Sequence, residues 1–240
     1  MENESTPYFW HETNLFRAFK EAGFDPRVFF EIGSSNSGWS YQMGTLFPTA
    51  RFHLFEPLVD KKDFYREHTA KILQLRPDFR VHKIAVGDAD STTKLGVDVS
   101  GYSASTLVTE TDATFTELVE VPIRRLDTFV LEQDLPRPDV LKMDVQGGEL
   151  SVLIGAGALL DTVQLIQAEI WLLRGYGNQT PLLHEINEYL SAKGFLLIAL
   201  GGSYYGDLHE LYGADAFFGR HDLLARCAAK LPKGSLTGER

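Results

Sequence analysis

The sequence predicts an α/β fold: a doubly wound sheet of seven strands, mixed but mostly parallel, with a β-rich insertion between its third and fourth strands. Three observations predict it. Apolar runs of strand length alternate with amphipathic segments of helix length over most of the 240 residues. Residues 27–60, RVFFEIGSSNSGWSYQMGTLFPTARFHLFEPLVD, read as strand, small-residue loop, helix, strand and acid, the order of a nucleotide-binding βαβ unit in a Rossmann-like fold. Between 88 and 125 the alternation breaks, and short strand patterns replace the crossover helix.

The elements follow in order. A first helix is expected over 13–22: Leu15, Phe16 and Phe19 share a face, Thr13 can cap it and Gly23 ends it. The first strand is 28–32. A helix over 38–47 stops before Pro48, and the second strand is 51–55. A charged amphipathic helix, 58–72, leads to the third strand at 80–86, which ends at Gly87-Asp88. Strands at 92–98 and 104–109 and the period-two segment LVEVPIRR at 118–125 make up the β-rich excursion, 88–125, with no helix pattern between 88 and 110. A short helix at 126–133 precedes the fourth strand, 139–143, which runs into Asp144. Gly147-Gly148 open a helix from 149 to 153 or a little beyond, and the fifth strand, 163–169, ends at Glu169. A helix over 181–192 starts with Pro181 and stops before Gly194. A sixth strand, 195–200, a Gly/Tyr-rich loop and a last strand, 214–218, form a closing hairpin that puts an antiparallel strand into the sheet. The whole chain is expected to be one domain, with an N-terminal helical segment at 1–26 and a C-terminal tail at 221–240.

Composition narrows the function. Hydrophobic residues at 44% suffice for a full core, and a net charge of −10 argues against a nucleic-acid partner, which needs clustered Lys and Arg. The basic pairs Lys61-Lys62 and Arg124-Arg125 are short and have acids nearby. A single cysteine, Cys227, excludes an intramolecular disulfide and any multi-cysteine metal site. The seven histidines show no metal-ligand spacing, so no metal is expected. The polar stretch Met1 to Pro7 carries no apolar signal, and the longest apolar run, around 195–200, is too short to span a bilayer. A cytoplasmic protein that does not bind membranes is expected.

Chemistry is expected at the carboxyl edge of the sheet, where open α/β sheets bind ligands. Glu56, Asp144 and Glu169 fall at strand ends there, and Asp88 follows Gly87. The loop from Gly33 to Gly38 is not G-x-G-x-x-G, and Gly and Ser can serve turn geometry alone. Glu56 stands about 20 residues after that loop, where the fingerprint places an acid that accepts from ribose hydroxyls.

The segment DVLKMDVQGGEL, 139–150, resembles the FkbM family of S-adenosylmethionine-dependent methyltransferases, whose motif is similar to Lys-(Ile/Met)-Asp-Val-Glu-Gly-x-Glu. Lys142, Asp144, Val145, Gly147 and Glu149 match, and Gln146 replaces the usual Glu. From about 27 to 220 further segments match: Glu31-Ile-Gly-Ser-Ser, Phe55-Glu56-Pro57, Ala85-Val86-Gly87-Asp88, Arg125-Leu126-Asp127, Gly155-Ala156 and Glu169. Ser37 stands where the family has Gly, with Gly38 next. The resemblance implies S-adenosylmethionine as cofactor. Glu31 and Gly33 would line its methionine end, Ser34, Ser35 and Asn36 would supply loop contacts, Glu56 would hold the ribose, and Asp88 would sit near the adenine. It also implies a sugar, polyketide or other natural-product hydroxyl as the methyl acceptor.

Asp144 is the candidate base or acceptor-orienting group, or else a helix cap or loop brace. Glu149 suits the first turn of its helix as a structural acid. Trp171 and Tyr176, after the fifth strand, and His209, in the Gly/Tyr-rich loop, could border the acceptor or serve the loops alone. Arg174 faces the same edge. Three readings result: an O-methyltransferase acting on a small molecule, an NAD(P)-dependent oxidoreductase on the same type of sheet, and a non-catalytic binding protein on a methyltransferase scaffold. Against the oxidoreductase stand the missing G-x-G-x-x-G and the missing Tyr-x-x-x-Lys pair. The sequence leaves the oligomeric state and any metal dependence open.

Overall fold

Strands β1 (Val28–Ile32) and β8 (Val140–Met143) are buried along their whole length, because helices cover both faces of the sheet they occupy. A computed structural model describes residues 10–98, 104–107, 115–176 and 178–230. Its main sheet has seven strands in the order β10-β11-β9-β8-β1-β2-β3, formed with β2 (Arg51–Phe55), β3 (Arg80–His82), β9 (Leu165–Trp171), β10 (Phe195–Tyr205) and β11 (Leu211–Arg220). β1 pairs parallel with β2 on one side and β8 on the other. The chain therefore winds outward in both directions from β1, and the crevice of the fold opens at the carboxyl ends of β1 and β8. β11 lies antiparallel between β9 and β10.

Alternating residues feed two cores. Phe29, Phe52, Val140 and Leu165 pack with Phe16 of α1 (Trp10–Glu21), Trp39 and Met43 of α2 (Gly38–Leu46) and Leu223 of α7 (His221–Ala228). The Phe29 and Phe52 rings stack at 4.6 Å. Phe30, Ile32, Phe55, Leu141 and Met143 face Leu126 of α4 (Leu126–Glu132), Leu153 of α5 (Glu149–Ala156) and Ile186 of α6 (Leu183–Ser191). This is the seven-stranded, doubly wound mixed sheet that the sequence predicts.

The β-rich excursion forms a second sheet, ordered β4-β7-β5-β6, from β4 (Ala85–Gly87), β5 (Ser91–Asp98), β6 (Ala104–Ser105) and β7 (Phe115–Arg125). It has its own core, in which Leu95, Val97 and Val121 meet Leu58 and Tyr65, the latter from α3 (Asp63–Leu75). β4 docks against α5 through glycine: a Cβ on Gly155 would lie 1.9 Å from the Gly87 carbonyl oxygen.

Several boundaries differ from the sequence reading. The expected third strand, 80–86, is two strands in two sheets, because the chain leaves β2 after His82 and joins β7 at Ala85. The helix expected over 58–72 begins at Asp63, and residues 57–61 are turns that carry Leu58 into the insertion core. α1 begins at Trp10, so Thr13 lies inside it and does not cap it. Pro181 precedes α6, whose first turn is instead tied by the Leu182 amide donating to Glu185 Oε2 at 2.6 Å. The Gly/Tyr-rich stretch 201–213 is mostly strand: β10 continues to Tyr205, β11 starts at Leu211, and only 206–210 turn. Of the expected tail, residues 221–228 form α7, held by buried Leu223 and Cys227. The part of the 104–109 strand beyond 107 lies outside the described residues.

The close approach at Gly155 yields a test. Gly155→Ala should destabilise the protein by about 1–3 kcal/mol through overpacking against β4, read as a lower midpoint in chemical denaturation. Unchanged stability would mean that α5 and β4 separate freely.

Candidate active site

The site begins with the turn after β1. Gly33 has φ +76°, and a Cβ there would fall 2.0 Å from the Asp144 carbonyl oxygen. Glycine thus lets the loops after β1 and β8 touch backbone to backbone. The loop is also stitched to β2. The amides of Gly33 and Ser34 donate to the Phe55 carbonyl at 2.9 and 3.1 Å. The Ser35 amide donates to Glu56 Oε2 at 2.9 Å, and the Leu58 amide to Glu56 Oε1 at 3.0 Å. Ser37 takes φ 60°, the left-handed conformation that glycine adopts without strain.

Side chains cross the sheet in a row. Register places Glu31, Lys142 and Gln167 side by side on β1, β8 and β9. Lys142 is buried, with its Nζ 3.5 Å from Glu31 and 3.3 Å from Asp144. Glu31 also accepts from Ser40 Oγ at 2.5 Å, and Gln167 accepts from Trp39 Nε1 at 2.9 Å. Burial alone would lower the Lys142 ammonium, but Asp144 and Glu31 hold it above its ordinary value. Burial raises Glu31 against the opposing pull of Lys142, since desolvation outweighs a pair this long.

Further carboxylates gather at this edge. Burial pushes Glu56 up to about 7 despite its two amide bonds. Glu149 is fully buried, accepts from the amides of Val145 and Gly147 at 3.0 and 3.4 Å, and is also raised to about 7, mainly by burial. It braces the loop after β8. Glu169 is raised well above its usual range by burial and then by Asp144. Asp215, opposite Glu169 in register, is raised to about 7 by burial and then by Glu12.

Of these residues Glu31, Glu56, Lys142 and Asp144 border a cleft of about 280 Å³. Its polar end is made by Glu31, Gly33, Ser34, Ser35, Asn36, Glu56, Lys142, Asp144 and Gln146. Its other end is an apolar slot between Tyr65, Ile84, Val86, Leu95 and Ile123, so the insertion sheet supplies much of one wall. Lys142 is the sole Lys or Arg among the described lining residues.

The structure thus brings seven of the expected site residues together: Glu31, Gly33, Ser34, Ser35, Asn36, Glu56 and Asp144. It leaves four outside the lining. Asp88 is exposed, because it follows β4 of the second sheet and not the edge of the first. Its carboxylate accepts from Ser151 Oγ at 3.0 Å, and it is Ser151 that lines the cleft. Tyr176 packs edge-on against Trp171 at 5.4 Å and donates from its hydroxyl to Gln146 Oε1 at 2.8 Å, so it meets the cleft lining at Gln146. Trp171 borders a separate shallow hollow with Leu182 and Leu197. His209 is exposed on the β10–β11 turn at φ 60°. Arg174 is tied to Glu185 and the Thr180 carbonyl, both at 2.8 Å. Lys142 had a visible signal, a lone charge inside the apolar strand VLKM. The slot residues had none, since separate strands and a helix supply them.

The family model for the methyltransferase FkbM domain matches residues 31–197. The chain belongs to the FkbM methyltransferase family. The match opens at Glu31, the first residue of the polar end, and covers every residue named in the cleft. Among solved structures, methyltransferase FkbM from Methylobacillus flagellatus KT is similar with a TM-score of 0.53 and 15% identity, covering 81% of this chain and 44% of that one. This chain therefore spans less than half of that protein's length. Magnesium protoporphyrin IX methyltransferase from Synechocystis PCC 6803, a structure with bound S-adenosylmethionine, is similar with a TM-score of 0.50 and 9% identity, covering 87% and 77% of the two chains. At these identities the likeness shows the Rossmann-like methyltransferase fold. No curated protein matches the chain. Among the described residues no helix is long and apolar enough to cross a membrane.

The row across the sheet makes Lys142 testable. Lys142→Met should cost about 3–5 kcal/mol, because it strands buried Glu31 without a cation. The loss should shrink as pH falls and Glu31, which burial already raises, takes up a proton. Denaturation at two pH values measures both effects, and a pH-independent loss would point to packing instead of charge.

Proposed function

We propose that this chain binds S-adenosylmethionine in the cleft and transfers its methyl group to a hydroxyl of a small-molecule acceptor, of the sugar or natural-product kind. The carrying observation is the division of one cleft into a carboxylate-rich end and an apolar slot, with a single cation that is already paired. A nucleoside with an amino-acid tail and no phosphate fits that division. A dinucleotide does not, since its phosphates call for free donors, whereas the Gly33, Ser34 and Ser35 amides are spent on β2 and Glu56.

S-adenosylmethionine, when bound, supplies an electrophilic methyl group on a sulfonium. The chain's own residues do the remainder. Glu56, fixed by two backbone amides, offers its remaining lone pairs to a vicinal diol. Leu95, Val86 and Ile123 present a dry slot for a flat ring, and Ser151, held by Asp88, stands at that slot in the place expected of Asp88 itself. Glu31 and the Gly33–Asn36 loop take the amino-acid end, with Lys142 balancing the charge. Asp144, with a side chain 44% exposed, accepts or orients the acceptor hydroxyl's proton. Trp171 and Tyr176 stand beyond Gln146 on the acceptor side. His209 would join them only if the exposed β10–β11 turn folded inward.

Calorimetry should show binding of S-adenosylhomocysteine and S-adenosylmethionine and none of NAD(P)H. The reverse result would overturn the reading. Glu56→Ala should weaken binding about 10-fold to 150-fold, the worth of a charge-assisted hydrogen bond. A diol that donates to Glu56 favours its ionised form, so binding draws the Glu56 pKa down from about 7. Affinity should then fall as pH drops below about 7, with proton release on binding, and both effects should vanish in Glu56→Ala. A flat pH profile would remove Glu56 from the ligand contacts.

Asp144→Asn keeps shape and removes charge. Turnover should drop about 10²–10⁴-fold, with melting temperature little changed. A stability loss of about 0.5–2 kcal/mol with turnover intact would make Asp144 a loop brace.

A further inference from the structure

Gln146 is a backbone and hydrogen-bonding exception within the site. It takes φ 53° and is followed by Gly147 at φ 96°, so two successive left-handed residues turn its side chain along the sheet edge. Such strain in a residue with a Cβ persists where its surroundings impose it. Its Nε2 donates to Asp144 Oδ1 at 3.1 Å and to Glu169 Oε2 at 3.0 Å, and its Oε1 accepts from the Tyr176 hydroxyl at 2.8 Å. Two carboxylates and a hydroxyl donor meet here, and an amide, with two N–H groups on one atom and an acceptor on the other, matches that set. The glutamate found at this position in the family motif would put a third carboxylate against the first two.

We propose that Gln146 is a positioning residue for Asp144: its amide ties the Asp144 carboxylate to Glu169 and Tyr176 and holds it toward the mouth of the cleft. On one side Lys142 Nζ holds Asp144 Oδ2 at 3.3 Å, and on the other Gln146 holds Oδ1. The carboxylate is thus fixed by one oxygen to the cofactor end and by the other to the aromatic side, where Tyr176 stacks on Phe115 at 5.4 Å and meets Trp171. The amide is the link through which the conformation of the 171–176 segment reaches the methyl-transfer centre. The inference rests on the proposed S-adenosylmethionine site.

The test uses charge at the methyl centre as a probe. S-adenosylmethionine carries a sulfonium cation and S-adenosylhomocysteine a neutral sulfur, so the ratio of their affinities reports how closely a carboxylate is held to that sulfur. Calorimetry on the full chain gives the ratio for the parent, Gln146→Leu, Asp144→Asn and the double variant. Each single substitution should lower the preference for S-adenosylmethionine about threefold to tenfold, and the double should lower it no further, the mark of two residues acting as one unit. Tyr176→Phe, which leaves the strained turn unaltered, should move the ratio the same way about twofold, and it serves if Gln146→Leu does not fold. A structural residue alone would weaken both ligands equally. An unchanged ratio in Gln146→Leu and Tyr176→Phe, or effects that multiply in the double variant, would overturn the proposal. Failure of the parent protein to bind either ligand would instead overturn the cofactor reading.

Discussion

The site depends on one buried cation. Lys142 sits in the middle of the sheet with Glu31 on the neighbouring strand and Asp144 two residues along its own. A lysine there costs desolvation, and only paired carboxylates make it tolerable. The dependence runs both ways. Burial raises Glu31, Glu56, Glu149, Glu169 and Asp215, and so much acid could not be packed at one edge without a compensating charge or shared protons. Lys142 also reaches the Gly33 carbonyl at 3.5 Å, so the cation that neutralises the edge also holds the first loop to it.

Around that centre the fold divides its labour. The main sheet supplies the polar end, because parallel strands release their loops at one edge. The second sheet supplies much of the apolar slot, through Ala85, Leu95 and Ile123. The contact between the two units runs through glycine, with the Gly87 carbonyl against the α-carbon of Gly155. The Gly155-Ala156 pair that looked like part of a family pattern is thus explained by packing: no larger residue lets the insertion close on α5.

The sequence was most legible where one periodicity ruled. β1 and β2 have their expected bounds, and the seven-strand count holds, because apolar runs between turn signals leave little choice. Reading failed where partners were distant. Residues 80–86 look continuous, yet two sheets share them. Glycine and tyrosine in 201–205 suggested a loop, yet pairing with β11 makes them strand. Asp88 shows the same limit in the site: it follows a strand directly as Glu56 does, but its strand belongs to the other sheet. The Glu31–Lys142 pair could not be inferred from spacing, since it depends on which strands lie side by side. Glu31 and Glu56 were legible because they belong to one local βαβ unit.

The left-handed backbone at Ser35, Ser37, Gln146 and Tyr176 carries a consequence for how the cleft meets a ligand. None of these residues is glycine, so each is held off its preferred conformation by its neighbours. Loops set in this way have given up their conformational entropy during folding. They have little left to lose on association, which favours binding to a preorganised shape over binding that first orders a floppy one. The cleft is accordingly built to recognise a narrow range of shapes at its polar end.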